Sequence, residues 1–320
     1  MTATEEMSSD SENGVRNPLF SVVVCTYNRA HLLPGAINAI LGQNFDDFEL
    51  IIVDDGSADE TADVVANMSD SRIRYIHRDN GGLSAARNTG IEASTGELII
   101  FIDDDDRADE IWLRELASAL QAAPNPANVG VISCGCRYVE DDGRFRKERM
   151  PVERPKAFNR TPTPVLMLAG CFAVRREIYR AIGGYEQSIP TTHQTELALR
   201  LLPFCESESL AVLNIQQPLV SIEWRPISER PLNQPEDLLQ SVEYVLDVHK
   251  DRLKLSPRFR GSYRAVAGVA AAQSRDMPRA RRHLLHAVIS FPSPRNLGRL
   301  AMSLLPGASR RWRRHWRDDG

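Results

Sequence analysis

The feature that most constrains the fold is a fourfold alternation of short apolar runs with amphipathic segments between residues 20 and 123. Each apolar run has polar ends and is rich in β-branched residues, which is typical of strands buried on both faces, and the segments between them have apolar residues at helical spacing. The runs are "FSVVVC", "FELIIVD", "RIRYIH" and "ELIIFID". Such β-α units in succession predict an α/β fold with a mostly parallel sheet flanked by helices.

Polar residues follow the apolar runs at the points where the strands are predicted to end. In open parallel sheets the ligand lies beyond the carboxyl ends of the strands, because loops and helix N-termini converge there. We therefore expect these polar residues to share one crevice. They are Thr26, Tyr27, Asn28, Asp54, Asp55, Asp79, Asn80 and Asp103 to Asp106.

The stretch "FIDDDD" places four carboxylates, Asp103 to Asp106, directly after an apolar run. At neutral pH they are like charges within about 14 Å of extended chain at most. Either solvent and distant lysines make this crowding tolerable, or a bound cation does. Magnesium and manganese prefer carboxylate oxygens, and at a strand end Asp103 and Asp105 would point to the same side. The alternative is a solvated acidic loop.

Two other stretches carry candidate ligand-binding residues. In "IIVDDGSADET", Asp54 and Asp55 end another predicted strand, where they could accept hydrogen bonds from a base or a ribose, or merely cap the next helix. In "DNGGLSAARNTGI", the two glycines would let the backbone approach a ligand closely. Arg87 could offer a cation to a phosphate or to the acidic cluster, and the alternative is a solvated helix residue.

The regular alternation stops near residue 128. Further strands are predicted up to residue 225, in runs that include "VGVISCGCRYVE", "PVLMLAGCFAVRR" and "LAVLNIQQPLVSIEWR". Residues 226–235 contain several prolines without apolar periodicity and are predicted to form a linker. Residues 236–320 are predicted to be helical and to include a tight helical hairpin formed by residues 259–274 and 278–290.

Charge is distributed unevenly along the 320 residues, although the formal net charge is only −4. Residues 251–320 hold 16 Lys and Arg against 4 Asp and Glu, a net charge of +12, which leaves −16 for the first 250 residues. The tail "SRRWRRHWR" could lie in a membrane interface, with arginines on lipid phosphates and indoles at the headgroup level. A solvated terminus is the alternative. Nucleic acid is not expected as a partner, because no base-reading fold precedes the tail.

The cysteines and the N-terminal residues indicate in which cellular compartment the protein is expected. The five cysteines show no zinc spacing and mostly lie in apolar runs, which favours reduced, buried thiols. Residues 1–18 are acidic and polar, so we expect a disordered segment rather than a signal peptide. No run approaches the roughly 20 apolar residues that a membrane span needs. A cytoplasmic protein is expected, peripheral on the cytosolic membrane face if the tail binds lipid.

These motifs resemble the family 2 glycosyltransferases with the GT-A fold. The resemblance is carried by "FSVVVCTYNRAHLLPGAINAILGQNFDDFELIIVDDGSADET", "NGGLSAARNTGIEASTGELIIFIDDDD" and "FAVRREIYRAIGGYE". It covers about residues 19–225 and implies a Rossmann-like nucleotide-sugar-binding half at 19–127, an acceptor-binding half at 128–225, and a helical extension after them. Members of the family transfer a sugar from a nucleotide-diphosphate donor to an acceptor hydroxyl, usually with inversion at the anomeric carbon.

The resemblance also implies roles for individual residues. Thr26 and Tyr27 would contact the base, and Asp55, with Asp54 beside it, would bind the base or the ribose. Arg87 would lie near the diphosphate. The acidic stretch matches the family's DXD metal motif. Asp105, together with Asp103, would then ligate Mn²⁺ or Mg²⁺, while Asp103 and Asp104 would contact ribose or bound water.

The sequence departs from the family where the general base is expected. The family commonly has an acidic pair before a helix, and the matching stretch here is "THQTELALR", with His193 and Gln194 at the two acidic positions. A glutamine cannot accept a proton at neutral pH. Three explanations stay open: His193 is the base, Glu196 is the base, or the chain has no strong base and binds the sugar nucleotide without transferring the sugar.

The expected function is therefore metal-dependent, inverting transfer of a sugar, most simply from a UDP-sugar, in polysaccharide or glycoconjugate biosynthesis. The acceptor would be a glycan, a lipid-linked molecule or another hydroxyl compound. The alternative is a non-catalytic protein that binds sugar nucleotides or serves as a scaffold.

Overall fold

The computed structural model describes residues 17–140, 142–151, 165–224, 234–254 and 256–305. The expectations for the N-terminal segment, for most of the linker and for the basic tail fall on residues 1–16, 225–233 and 306–320, outside the described residues. Among the described residues, no helix has both the length and the apolar character required to cross a bilayer.

The first half of the chain forms the predicted β-α units. The elements are β1 (Phe20–Thr26), α1 (Leu33–Leu41), β2 (Phe48–Asp54), α2 (Thr61–Ala66), β3 (Ile73–His77), α3 (Leu83–Ala93) and β4 (Leu98–Asp103). The four strands pair in parallel in the order β3-β2-β1-β4. Thr26 is in register with Asp54, and Cys25 with Asp103, so the strands end at one edge of the sheet.

The second half extends the same sheet. Its elements are β5 (Arg107–Ala108), α4 (Trp112–Gln121), a 3-10 turn (Pro126–Asn128), β6 (Val129–Val139), β7 (Phe145–Arg149), β8 (Phe172–Arg175), α5 (Arg176–Ile182), α6 (His193–Ser207) and β9 (Ala211–Glu223). Beyond β4 the order continues β8-β6-β9-β5, with β8 antiparallel to β4 and β9 parallel to β6. The mostly parallel α/β sheet flanked by helices is thus confirmed.

One strand is shorter than the sequence predicts. The run "PVLMLAGCFAVRR" contains a strand only from Phe172 to Arg175. Gly170 has φ +74°, a conformation that side chains rarely adopt, and its N–H donates to the carbonyl of Phe101. The preceding apolar residues therefore turn over the end of β4 instead of extending the sheet.

Two apolar clusters lie on opposite faces of the sheet. Val22 and Val24 of β1 belong to one cluster and Val23 to the other, because successive side chains of a strand point to opposite faces. Every residue of β2 from Leu50 to Val53 is buried in the same alternating way. Burial on both faces explains why these strands read as continuous apolar runs rather than as alternating patterns.

The C-terminal elements are helical, as expected. They are α7 (Pro235–Val248), α8 (Lys250–Lys254), α9 (Pro257–Gln273), α10 (Met277–Ser290) and α11 (Pro294–Leu304). They form a third apolar cluster, which also includes Leu199 of α6. The predicted hairpin is α9 and α10, which pack closely where Gly268 faces Leu284.

We predict that Gly268→Val destabilises the protein by about 1–3 kcal/mol through overpacking. A Cβ atom at Gly268 would lie 2.6 Å from Cγ of Leu284 and 3.1 Å from the carbonyl oxygen of Ala280. Gly298→Val is the matched control, because a Cβ atom there meets nothing within 4 Å. Thermal unfolding of both variants is the measurement, and equal changes in melting temperature would contradict the prediction.

Candidate active site

A cleft of about 820 Å³ opens at the carboxyl edge of the parallel strands. This volume is within the usual range for small-molecule sites. One side is built from the ends of β1, β2 and β4 and the start of α3. The other side comes from the start of α6 and from α7, β6 and β9. The lining residues used below are Thr26, Tyr27, Arg29, Asp55, Gly82, Asp103 to Asp106, Thr191, Thr192, Gln194, Glu223 and Leu238.

Asp55 lines the cleft and is held by the loop that follows β3. Its carboxylate accepts hydrogen bonds from the backbone N–H groups of Gly81 and Gly82 and is paired with Arg78. Gly82 has φ +84° and precedes the first turn of α3. The carboxylate therefore fixes the backbone at the start of α3, which lies in the cleft wall.

Asp54 points away from the cleft. It is buried and accepts hydrogen bonds from the backbone N–H of Ser57 at 2.8 Å and from the hydroxyl of Tyr75 at 2.5 Å. Burial raises the pKa of Asp54, but the hydrogen bonds from Ser57 and Tyr75 outweigh it and the pKa lies below its ordinary value. The structure therefore brings Asp55, and not Asp54, to the ligand side of the loop.

Thr26 lies at the end of β1, and Tyr27 follows it at the cleft edge. The Thr26 hydroxyl donates to Asp104 at 2.8 Å, which joins the ends of two strands. Tyr27 is an exposed aromatic residue and lines the cleft. An exposed ring at this position can stack on a planar base.

Arg87 is a buried cation beneath the cleft. Its Nη2 lies 3.3 Å from Oδ1 of Asp103, and its guanidinium lies 5.1 Å from the ring centroid of Tyr185. Its Nη1 has no hydrogen-bond partner among the described residues. Arg87 does not line the cleft itself. It contacts Asp103, which does line the cleft.

The four consecutive aspartates divide into two groups. Asp103, Asp105 and Asp106 each present an oxygen atom, and these atoms lie within 4.8 Å of one another. Asp104 instead contacts Thr26 and Arg29, and Arg29 also pairs with Asp105 at 2.7 Å. Converging carboxylate oxygens are the donor set that hard divalent cations prefer. The residues present therefore fit a magnesium or manganese ion.

The crowding of these carboxylates is visible in their pKa values. Burial, followed by the charges of Asp103 and Asp105, raises the pKa of Asp106 well above its ordinary value. Burial also raises the pKa of Asp104 to about 6, although Arg29 and Thr26 oppose the shift. Without a bound cation, burial therefore disfavours the charged forms of both carboxyls. A divalent ion would stabilise these charged forms.

His193 lies behind the cleft wall. It is buried, its Nδ1 is 2.8 Å from the Ser84 hydroxyl, and its Nε2 has no partner among the described residues. Burial and the charge of Arg87 lower the pKa of His193 from 6.5 to about 4. Its imidazole is therefore neutral at pH 7, but it is not one of the described side chains that line the cleft.

Glu196 is also buried and faces other partners. It accepts hydrogen bonds from Arg200 at 2.8 Å and lies 3.1 Å from Nε2 of His249, which follows α7. Burial raises the pKa of Glu196, but the bonds from Arg200 and His249 outweigh it, so the pKa is lowered. The structure does not bring this carboxylate to the cleft.

The wall opposite the aspartates is formed by the start of α6. Thr191, Thr192 and Gln194 line it, and the hydroxyls of both threonines lack hydrogen-bond partners among the described residues. Thr192 has φ +59°, which is strained for a β-branched residue. Helix α7 supports this wall, because Ser241 accepts a hydrogen bond from the Thr191 N–H at 3.0 Å and Leu238 completes the lining.

Two site residues were not identified from the sequence: Arg29 bridges two aspartates, and Arg78 holds Asp55. Asp106 was predicted to lie in the crevice but was not assigned to the metal, and the structure adds it to the acidic group. Arg29, in "TYNR", follows the first strand by only a few residues, and that position was the only signal for it.

Comparison with known protein families identifies the family of this chain. A model described as Glycosyl transferase family 2 matches residues 21–183, slightly more than half of the chain. The chain therefore belongs to glycosyl transferase family 2, and its enzyme class is glycosyltransferase.

Sequence relatives carry the same class of name. EpsJ of Bacillus subtilis, an uncharacterised glycosyltransferase, is 36% identical over 129 residues, which cover 40% of this chain and 36% of EpsJ. A GalNAc(5)-diNAcBac-PP-undecaprenol beta-1,3-glucosyltransferase of Campylobacter jejuni is 38% identical over 136 residues, which cover 41% of this chain and 42% of that protein. The chain thus spans less than half the length of each of these relatives.

Solved structures share the fold. The S. aureus TarS 1-349 structure in complex with UDP-GlcNAc has a TM-score of 0.61 at 17% identity and covers 92% of this chain and 87% of TarS 1-349. Mannosyltransferase PcManGT from Pyrobaculum calidifontis, in complex with GDP-Man and Mn²⁺, has a TM-score of 0.55 at 18% identity. The match covers 93% of this chain and 84% of the PcManGT chain. The expected GT-A architecture is confirmed.

We predict that Asp105→Asn weakens Mn²⁺ binding at least roughly tenfold while the fold stays intact, because one of three converging carboxylates loses its charge. Isothermal titration with MnCl₂ is the measurement, with circular dichroism to check the fold. Asp79→Asn is the matched control, since Asp79 is exposed and is not one of the described lining residues. Equal Mn²⁺ affinities of the two variants would remove the metal assignment.

We also predict that His193 makes the protein sensitive to acid. Because its folded-state pKa is about 4 against an ordinary 6.5, the unfolded state binds more protons between these pH values. The contribution of His193 to stability should therefore fall as pH falls from 6.5 to 4, by roughly 3 kcal/mol at most. The raised pKa of Asp104 acts in the opposite direction below about pH 6, so the His193 contribution is measured as a difference between variants. His193→Gln should flatten this part of the curve of melting temperature against pH, while the exposed-site control His31→Gln should not. Parallel curves for all three proteins would refute the prediction.

Proposed function

We propose that the chain transfers a sugar from a UDP-sugar to an acceptor hydroxyl, with inversion at the anomeric carbon and with the help of Mn²⁺ or Mg²⁺. The observation that carries the proposal is the meeting of Asp103, Asp105 and Asp106 within 4.8 Å at one edge of the cleft. Thr26 and Asp55, at the ends of neighbouring strands, line the same cleft. This is the arrangement expected where a nucleotide diphosphate and a cation meet.

Donor binding is assigned to the strand-end side of the cleft. Tyr27 and Thr26 would contact the base, and Asp55 the base or ribose. Asp104 would contact the ribose or bound water, in addition to its bond with Thr26. A uridine nucleotide is proposed because TarS, which shares the fold, was solved with UDP-GlcNAc. GDP-sugars are the competing donors, because PcManGT was solved with GDP-Man.

The leaving group is a diphosphate, so charge must be offset as its bond to the sugar breaks. A divalent ion held by Asp105 and Asp103, with Asp106, would offset this charge and so favour the transition state over the ground state. Arg87 would add a buried positive charge beneath Asp103. Arg29 pairs with Asp104 and Asp105 and fixes their orientation.

The acceptor is assigned to the wall formed by Thr191, Thr192 and Gln194. We propose a glycan or a lipid-linked molecule in polysaccharide or glycoconjugate assembly, since the Campylobacter relative is named for an undecaprenol-linked substrate. The transferase unit would span residues 19–225, followed by the linker at 226–235 and the helical region at 236–320. A location at the cytosolic membrane face, with the tail on lipid, belongs to the same proposal.

A second candidate function is binding of the sugar nucleotide without transfer. It is favoured by one observation: Gln194 lines the cleft where the family commonly has an acid, while His193 and Glu196 are buried behind the wall. An inverting displacement needs a base within hydrogen-bond reach of the acceptor hydroxyl. If transfer does occur, His193 or Glu196 could serve only after the loop at Thr192 rearranges.

We predict that a UDP-sugar raises the melting temperature only when Mn²⁺ is present, because the diphosphate needs the ion as its counter-charge. Binding at 100 times the dissociation constant stabilises a protein by about 2.7 kcal/mol, a readily measured shift. GDP-sugars and free UDP serve as comparison ligands, and Asp105→Asn and Asp79→Asn as the variant pair. A shift of equal size without any divalent ion would contradict the metal requirement.

The same protein samples separate the two functions. Release of the nucleotide diphosphate in the presence of a panel of acceptors measures transfer, and His193→Ala and Glu196→Ala identify the base if either variant abolishes it. The second function would be established by two results together: the native chain binds the donor without transferring the sugar, and Gln194→Glu gains transfer.

A further inference from the structure

Helix α11 exposes several of its apolar side chains, although it packs on the third apolar cluster through Leu300 and Met302. The residues it buries are Asn296 and Ser303. The Asn296 amide donates to the carbonyl of Phe291 at 2.9 Å, and the Ser303 hydroxyl donates to the carbonyl of Leu300 at 2.6 Å. Leu297 and Leu304 instead are 51% and 62% exposed. A surface helix normally directs its large apolar residues towards the core.

Helix α10 adds apolar residues to this exposed surface. Leu285 is 48% exposed and Ile289 is 68% exposed. The two helices are neighbours, because the Arg281 guanidinium donates to the carbonyl of Ser303 at 3.1 Å. Among the described residues, five of the eight exposed large apolar side chains belong to α10, α11 and the residue that follows, and these are Leu285, Ile289, Leu297, Leu304 and Leu305. Such concentration marks an interaction surface.

The described part of this surface is basic. Residues 277–305 contain five arginines and no Asp or Glu, although Arg279 is paired with Glu243 of α7. Arg282 is exposed on α10, three residues before Leu285. Leucines combined with arginines on a helix surface are typical of helices that lie in the plane of a membrane interface, with apolar side chains at the acyl boundary and guanidinium groups on lipid phosphates.

We propose that the exposed face of α10 and α11, comprising Leu285, Ile289, Leu297, Leu304 and Leu305 with Arg282, docks on a bilayer that contains anionic phospholipid. A second copy of the same face would fit poorly, since it would bring two strongly basic surfaces together. The docking needs no sugar transfer. Docking would hold the cleft beside a lipid-linked acceptor, and this role rests on the proposed function.

Vesicle flotation of the full chain tests the proposal. We expect binding to vesicles of phosphatidylcholine and phosphatidylglycerol at 3:1, none to phosphatidylcholine alone, and weaker binding as salt rises. Leu297→Ser with Leu304→Ser should lower the partition coefficient roughly tenfold or more, since two apolar contacts with the acyl region are lost. The matched control is Phe145→Ser with Val248→Ser, exposed apolar residues outside α10 and α11, which should bind like the native chain.

Two further outcomes would overturn the proposal. In the first, a chain that ends at residue 305 but is otherwise unchanged loses all vesicle binding, while the double leucine variant binds normally. Membrane binding would then be a property of the tail alone. The other is a dimer in light scattering that the leucine substitutions dissociate, which would assign the face to a second copy. Both measurements are made without donor or acceptor. Loss of transfer to a soluble acceptor would count against the proposed function and leave this result unaffected.

Discussion

The structure of the cleft depends on how acidic side chains are kept together where the parallel strands end. Like charges repel strongly in a partly desolvated cleft, so each carboxylate needs a cation or a set of N–H donors. Three arginines from three different loops and helices meet part of this need: Arg29 holds Asp104 and Asp105, Arg78 holds Asp55, and Arg87 lies beneath Asp103. Burial, followed by the charges of Asp103 and Asp105, raises the pKa of Asp106 well above its ordinary value. A divalent ion bound at these converging carboxylates would stabilise their charged forms.

Much of this could be predicted from the sequence, because the signals were local. Runs such as "ELIIFID" specify buried parallel strands by composition alone, and strands that end at one edge bring Thr26, Asp55 and Asp103 together. Other features depend on contacts far apart in the chain. Glu196 is directed away from the cleft by His249, which lies 53 residues further on, and a left-handed glycine turned the predicted strand before Phe172 into a loop. Asp54 and Asp55 were predicted to act side by side, but neighbouring residues at a strand end point to opposite sides, and only Asp55 faces the cleft.

The two sides of the cleft differ in chemistry. The strand-end side holds several charged groups, whereas the described lining at the start of α6 is uncharged, with Thr192 in a strained conformation. Strain of this kind persists only where surrounding contacts enforce it. The acidic group lies on the strand-end side, and the sugar transfer proposed above depends on what the opposite wall does with an acceptor's proton.

The support of that wall by α7 limits how freely the chain could be recombined with its relatives. Ser241 holds the backbone of Thr191, Leu238 lines the cleft, and Leu199 of α6 belongs to the same apolar cluster as the C-terminal helices. A chimera that exchanged everything after the linker would change the support of Thr191 and part of the cleft lining, even though the family match ends at residue 183. The start of α6 and the C-terminal helices therefore form one structural unit, which an exchange at the linker would divide.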